Sequence, residues 1–451
     1  MRPYMRAANV GWNGLRLDDV KEMDFTPTEF ETYELRPGDV LVGEASGSRD
    51  EVGKSSVWRG EVPGACFQNT LIRVRLDTAR ATPEFVQLHL QHDATRGALA
   101  EVCKGIGIYH LGREGLANWQ IGVPPLDEQR RIVAKLDALR ARSRRAKDAL
   151  DAVPVLLDRL RRSILAAAFR GDLTADWREQ NPDVEPATEL LKRIRIERRK
   201  RWEEAELAKM TAKGKPPKDD RWKQKYVEPE PVDDSELPEL PDGWCWASVD
   251  EIVRGGAALC YGVVQPGEDT NVGIPLIRVQ DLFSQNLQPK FLRRITAEVD
   301  REYLRSRVEE GDVLISVVGT IGRVATVPKS LSGANIARAV ARIRASGLID
   351  RSWVAAWLSS PTAQFQLGLD AREVARKTLN VEVLAGLAIP IAPRDEQRAA
   401  AATIAEMINR IDGAAAVVAQ TVPRVAATEA AILAAAFRGE LVEATAAAAS
   451  E

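Results

Sequence analysis

The chain has 451 residues, 45% of them hydrophobic, and carries 63 Lys and Arg against 65 Asp and Glu, a formal net charge of −2. That is length enough for two or three domains with their own cores, and no apolar run approaches the roughly 20 residues that a membrane-spanning helix needs. The balance lacks the bulk basic excess common in nucleic-acid binders, so the placement of charge, not its total, must carry any such function.

The opening "MRPYMRAANVGW" has no apolar export core. Cys66, Cys103, Cys245 and Cys260 lack CxxC spacing and read as reduced thiols of a cytoplasmic protein. Across residues 1–123, "DVLVGEA" and "TLIRVRL" read as strands, and "TPEFVQLHLQHDATRGALAEVC" as a helix with glycine near its end. His89 and His92, three apart on that helix, read as a surface pair without the ligand company of a metal site. Two polar loops offer groups suited to base edges and phosphates: Arg49, Lys54 and Ser55 in "GEASGSRDEVGKSS", and Lys104, Tyr109, His110 and Arg113 in "EVCKGIGIYHLGRE". For any one of them, taken singly, a solvated surface position outweighs a direct contact.

After Pro124 and Pro125 the sequence turns helical. Ile132, Leu136, Leu139, Ala146, Leu150, Val153, Leu157, Leu160 and Ile164 recur at three- and four-residue steps, with Ser143 filling the one gap. This is the rhythm of a coiled-coil seam, although ordinary bundle helices share it over short stretches. Asp127 stands where it can cap the helix start, and Pro154 predicts a kink or a break. A helix from Asp127 to about Ala152 would span roughly 40 Å, close to the spacing of two half-sites on one face of B-DNA. Residues 176–241 change character, from the basic "KRIRIERRKRW" and "KGKPPKDDRWKQK" to the acidic "EPEPVDDSELPELPD". They predict a helix to about Met210 and then a proline-broken tether. A solvated charged linker is the preferred reading over a basic arm lying on phosphates.

Residues 242–390 form a second mixed unit, with strands in "DVLISVVG", "RVATVP" and "AVARIRA" and helix in "RSWVAAWLSSPTAQFQLGL". Its loops offer Thr320 and Arg323 in "SVVGTIGR", and Arg372, Arg376, Lys377, Thr378 and Asn380 in "DAREVARKTLN". From residue 391 a second seam follows in Ile404, Ile408, Ile411, Ala415, Val418, Val422 and Val425, with Arg394 and Asp395 at its start and Pro423 within it.

These parts are two copies of one plan. "VPPLDEQ" (123–129) matches "IAPRDEQ" (391–397), and "SILAAAFRGDL" (163–173) matches "AILAAAFRGEL" (431–441), both at an offset of 268 positions. The register runs backwards through "LRPGDVLV" (35–42) with "VEEGDVLI" (308–315), "TLIRVRL" with "AVARIRA", and "PYMRAANV" with the run beginning "IPLIRVQDL". The second copy opens with "LPELPDGWCWASVDEIV" (237–253), which has no counterpart in the first. Either the first unit is shortened or its assigned start is too late.

"PPLDEQRRIVAKLDAL" with "SILAAAFRGDL", the second "APRDEQ" with "AILAAAFRGEL", and "LPDGWCWASVDEI" resemble the specificity subunits of type I restriction–modification systems over nearly the whole chain. The resemblance implies two α/β (α+β) target-recognition domains joined by long helices in an antiparallel coiled coil, each domain reading one half of a split DNA site. The implied partners are double-stranded DNA, methyltransferase subunits and restriction subunits. The expected map is 1–123 first recognition domain, 124–175 first helical region, 176–241 charged insert, 242–390 second recognition domain and 391–451 second helical region. The seam is expected at Ile132, Leu136, Leu139, Leu150, Ile404, Ile408, Ile411 and Val418. No GxxxxGK[ST] segment and no Asn/Asp-Pro-Pro-aromatic segment is present, so no catalytic residue, cofactor or metal is expected. Two other readings stay open, an enzyme with a cryptic nuclease or modification site and a helical scaffold that reads no sequence.

Overall fold

The computed structural model describes residues 1–12, 14–48, 51–103, 108–214, 217–283, 287–370 and 379–441. The chain divides into two compact units, Met1–Pro154 with Ala416–Glu451, and Val155–Ala415.

In the first unit, strand Val40–Gly43 lies between Ser55–Val57 and Leu71–Val74, antiparallel to both. The turn leading into it closes when the Arg36 N–H donates to Asp39 Oδ2 at 2.8 Å, with Gly38 at φ +93°. That left-handed backbone is the reason for glycine at this position. Strand Arg2–Met5 pairs antiparallel with Lys21–Met23 and parallel with Cys66–Phe67. Helix Pro83–Thr95 starts on a proline, whose missing N–H costs nothing at a helix N-terminus. It buries Phe85, Val86, Leu88 and Leu90 in one core with Val40, Val42 and Val57.

The second unit repeats this plan. Val313–Ser316 lies between Val324–Thr326 and Val340–Ile343, and Cys260–Tyr261 extends the sheet beyond Val340–Ile343. Ile274–Ile277 pairs antiparallel with Arg293–Ile295 and parallel with Asn335–Ile336. Helices Arg351–Leu358 and Pro361–Asp370 follow. This unit also has strand Cys245–Ser248, antiparallel to Ala388–Ile391.

The long helices are Leu126–Phe169 and Arg394–Phe437, each of 44 residues and displaced by 268 positions at both ends. In the first unit, Ile132 and Leu136 share a core with Leu433 and Ala436. In the second, Leu165, Ala168 and Phe169 share one with Ala400 and Ile404, and Arg161 pairs with Asp412. Within each unit the early part of one helix meets the late part of the other, so the pairing is antiparallel. The break foreseen at Pro154 and Pro423 is absent, and both helices run through. Each proline is solvent-exposed, so its ring intrudes on no packed neighbour and the helix forfeits one internal hydrogen bond.

The insert is not the solvated linker preferred from composition. Helix Ala187–Ala212 buries Ala187, Leu190, Leu191 and Ile194 in the core of the second unit. Their i, i+3, i+4, i+7 spacing makes an apolar stripe that the dense Lys and Arg masked. Arg195 pairs with Glu251 and Arg198 with Asp250, at 3.1 Å for the latter. Trp202 stacks on Trp222 at 6.1 Å. Much of the basic run is therefore neutralised within its own unit.

Candidate nucleic-acid interface and helix seam

Three devices recur in the two copies and hold the loops in place. The first is an arginine clamp. Arg75 donates from Nε to Asp39 Oδ1 and from Nη2 to Asp39 Oδ2, both at 2.7 Å. Arg344 does the same to Asp312 at 2.8 and 2.7 Å. Two residues earlier on each strand, Arg73 donates to the Glu34 carbonyl at 2.9 Å and Arg342 to the Arg307 carbonyl at 2.8 Å. Two parallel charge-assisted bonds fix the turn against the strand, and the Asp39 hydrogen bond holds the Arg75 guanidinium above its ordinary pKa.

The second device is the glutamine of the "DEQ" motif. Gln129 is buried; its Oε1 accepts from the Thr82 N–H at 2.8 Å and its Nε2 donates to the Pro124 carbonyl at 2.7 Å. Gln397 accepts from the Asp350 N–H at 3.0 Å and donates to the Ala392 carbonyl at 2.8 Å. Each glutamine ties its long helix to the start of a recognition-unit helix. Glu396, also buried, takes the Trp244 indole N–H at 2.9 Å, the Thr174 hydroxyl at 2.6 Å and Arg178 at 2.6 Å. The motif is thus an internal fastening.

The third device is the phenylalanine ending each long helix. Phe169 lies edge-on to Trp353 and Trp357, with ring centroids 4.6 and 5.0 Å away. Phe437 meets Phe85 at 5.6 Å, His89 at 4.8 Å and His92 at 5.3 Å. His89 and His92 are accordingly not the surface pair expected. His89 also bonds Asp93 at 3.1 Å, and burial pushes the His92 pKa down. Among the described residues, no group of three or more His, Cys, Asp or Glu could hold a metal, and no helix is long and apolar enough to cross a membrane.

Of the predicted DNA contacts, Arg49, Lys104, Arg372, Arg376, Lys377 and Thr378 lie outside the described residues. Lys54 pairs with Glu51 at 2.5 Å. Ser55 is fully buried in its strand, which takes its side chain off the surface. Tyr109 and His110 form a short strand against Ser46 and Ala45, joining the two predicted loops of the first unit. His110 and Arg113 are exposed, as are Thr320 and Asn380, whereas Arg323 is half-buried. The Arg323 N–H donates to Ser316 Oγ at 2.8 Å, closing the loop that carries Thr320.

All eight seam residues point inward to some degree. Ile132, Leu136, Ile404 and Ile411 are buried, and Leu139, Leu150, Ile408 and Val418 are half-buried. Residues whose roles the sequence did not disclose are the clamp pairs Asp39–Arg75 and Asp312–Arg344, the fastening Glu396, and the terminal Phe169 and Phe437. Their signal was present, since "GDV", "RVR" and "AAAFRG" all lie in the repeated segments.

The type I restriction enzyme EcoBI specificity subunit of Escherichia coli is 29% identical over 415 residues, spanning 91% of this chain and 75% of that protein. The chain is similar to the type I restriction enzyme specificity subunits over 91% of its length. The EcoKI specificity subunit of Escherichia coli strain K12 is 29% identical over 206 residues, 44% of this chain and 43% of its own length. The fold agrees with that of the family. The HsdS subunit from Thermoanaerobacter tengcongensis superposes with a TM-score of 0.58 at 20% identity, covering 97% of this chain and 90% of its own. A chain from a structure describing assembly and conformational transition of the type I R-M system gives 0.60 at 20% identity, covering 97% and 92%. No family model matches the chain.

Proposed function

We propose that the chain is the sequence-reading, non-catalytic subunit of a type I restriction–modification complex, with residues 1–123 and 242–390 each reading one half of a split DNA target. One observation carries this reading: the two units repeat their strands, clamp and fastening in register while their polar loops differ. A frame held constant under unlike loops is what reading two different half-sites demands. The reading loops are those that carry Arg49, Lys54, Lys104, Tyr109, His110 and Arg113 in the first unit, and Thr320, Arg323, Arg372, Arg376, Lys377, Thr378 and Asn380 in the second.

The long helices space the two recognition regions and receive the partner subunits, methyltransferase and restriction. Ile132, Leu136, Ile404 and Ile411 turn inward, but Val155, Leu156 and Leu160 on the first helix (the last expected on the seam from its spacing) and Val417 on the second expose 56, 57, 49 and 64% of their surface. Exposed apolar side chains on otherwise polar helices suit a protein partner. The complex acts in the cytoplasm.

The test is a domain exchange. Residues 242–390 are replaced by those of another family member, and methylated bases are mapped across the host genome. One half of the methylated motif should change and the other persist. A change in both halves, or in neither, refutes the one-domain, one-half-site reading.

A further inference from the structure

In the second unit a cavity of about 690 Å³ opens between Ala205 of the insert helix, residues 254–260 and the clamp residue Arg344. Five arginines line it, Arg254, Arg305, Arg307, Arg342 and Arg344, against a single carboxylate, that of Glu309. Three of the five are already neutralised. Arg254 and Arg344 pair with Glu309 at 3.2 and 2.7 Å, Arg344 also with Asp312 at 2.7 Å, and Arg307 with Asp300. Among the described residues, Arg305 and Arg342 have no carboxylate partner.

Arg342 is only 4% exposed. Its Nη1 donates to the Arg307 carbonyl at 2.8 Å and its Nη2 to the Ala258 carbonyl at 3.2 Å, while its Nε–H is buried without an acceptor. Carbonyl oxygens accept hydrogen bonds but bring no counter-charge, and burial pulls the Arg342 pKa down. A buried cation left in this condition is costly unless an anion can reach it. Each of its η nitrogens still has a second N–H to give. Beside it, the amides of Gly255 and Gly256 line the same cavity and find no acceptor among the described residues. Packing explains the glycines: a Cβ on Gly255 would collide with the Arg198 carbonyl of the insert helix, and Gly256 sits at φ +77°. The insert helix therefore holds these amides at the cavity wall.

We infer that this cavity is a binding site for a small oligophosphate anion, with pyrophosphate as its simplest representative, held by Arg305 and Arg342 together with the Gly255 and Gly256 amides. The guanidinium fork matches phosphate oxygens two at a time, and successive backbone N–H groups add to such a concavity. Two uncompensated guanidinium charges call for a ligand with more than one negative charge, and the volume lies in the range of small-molecule pockets. The site lies toward the Asp312 end of strand Val313–Ser316, whereas the loop carrying Thr320 leaves from its Ser316 end. The inference is therefore independent of which DNA sequence the protein reads.

The experiment is isothermal titration calorimetry of the full chain with pyrophosphate in low-salt buffer, together with amide exchange of residues 254–260. Saturable one-to-one binding is expected, with slowed exchange at Gly255 and Gly256. Arg305→Ala changes an exposed side chain and should weaken binding roughly 10-fold, the worth of one charge-assisted hydrogen bond. Arg342→Gln should weaken it further, and Arg305→Ala keeps the test valid should Arg342→Gln fold poorly. Arg301→Ala, an exposed arginine of the same unit outside the cavity, should leave binding unchanged. Absence of saturable binding, indifference to Arg305→Ala, or an equal loss with Arg301→Ala overturns the inference. Displacement of pyrophosphate by duplex DNA of random sequence would give these arginines to the DNA backbone, and would equally overturn it.

Discussion

Phe169 and Phe437 hold the same place in identical eight-residue segments (164–171 and 432–439), yet the structure sets them in surroundings of different depth, and truncation should expose the difference. Phe169 is 7% exposed and wedged between Trp353 and Trp357. Burying its ring contributes about 1.5–3 kcal/mol, and the cavity left by Phe169→Ala raises the cost to about 3–5 kcal/mol. Phe437 is only half-buried, so less surface is lost and water can enter the gap. Phe437→Ala should therefore cost about half as much, roughly 1.5–2.5 kcal/mol. For a unit the size of Val155–Ala415 the larger loss corresponds to a fall in Tm of roughly 6–20 °C. The assay is urea unfolding followed by tryptophan fluorescence. Trp12, Trp58 and Trp119 report on the first unit, while Trp244, Trp353 and Trp357 report on the second. Phe169→Ala should shift the second unit's transition, and Phe437→Ala the first's by less. Equal effects, or a larger one for Phe437→Ala, would refute the reasoning.

Glu396→Gln leaves Arg178 half-buried without its charge partner and should destabilise the second unit by about 2–4 kcal/mol; a loss below about 0.5 kcal/mol in a denaturant titration would remove Glu396 from the fastening. His92, beside His89, Asp93, Arg96 and Arg438, is held by burial below its ordinary pKa. A depressed folded-state value means that its stabilisation is whole above the unfolded pKa of about 6.5 and is lost as pH falls through the folded value. His92→Phe should flatten the decline of the first unit's Tm between about pH 7 and pH 5, and an unchanged slope would contradict the assignment. Leu156→Glu with Leu160→Glu, both exposed, should prevent co-purification of methyltransferase subunits without lowering Tm, whereas Ile404→Asp, buried at the seam, should lower Tm itself. Burial lifts the Cys245 thiol to about 11, so it should resist maleimide at pH 7.5 until the chain is unfolded.

The duplication, the two long helices and the strands around "GDVLV" and "GDVLI" were legible in the sequence, because repeats and periodicities are local patterns that a linear string displays. The apolar stripe on Ala187–Ala212 was equally local, but Lys and Arg outnumbered it and composition won over spacing. His89 and His92 misled for another reason. Whether a helix face meets water depends on what is brought to it, and here that is Phe437, more than 300 positions away.

The sequence by itself therefore determined that there are two copies of one frame, each followed by a rod with an inward apolar line. Only the tertiary structure decided that the rod of one copy ends on the recognition unit of the other, Phe437 against Phe85 and Phe169 against Trp353. The physical reason is that a seam pattern scores apolar positions along a helix but is almost blind to the direction of its partner. Direction is chosen by the contacts at the ends, where an aromatic side chain finds a pocket of matching shape.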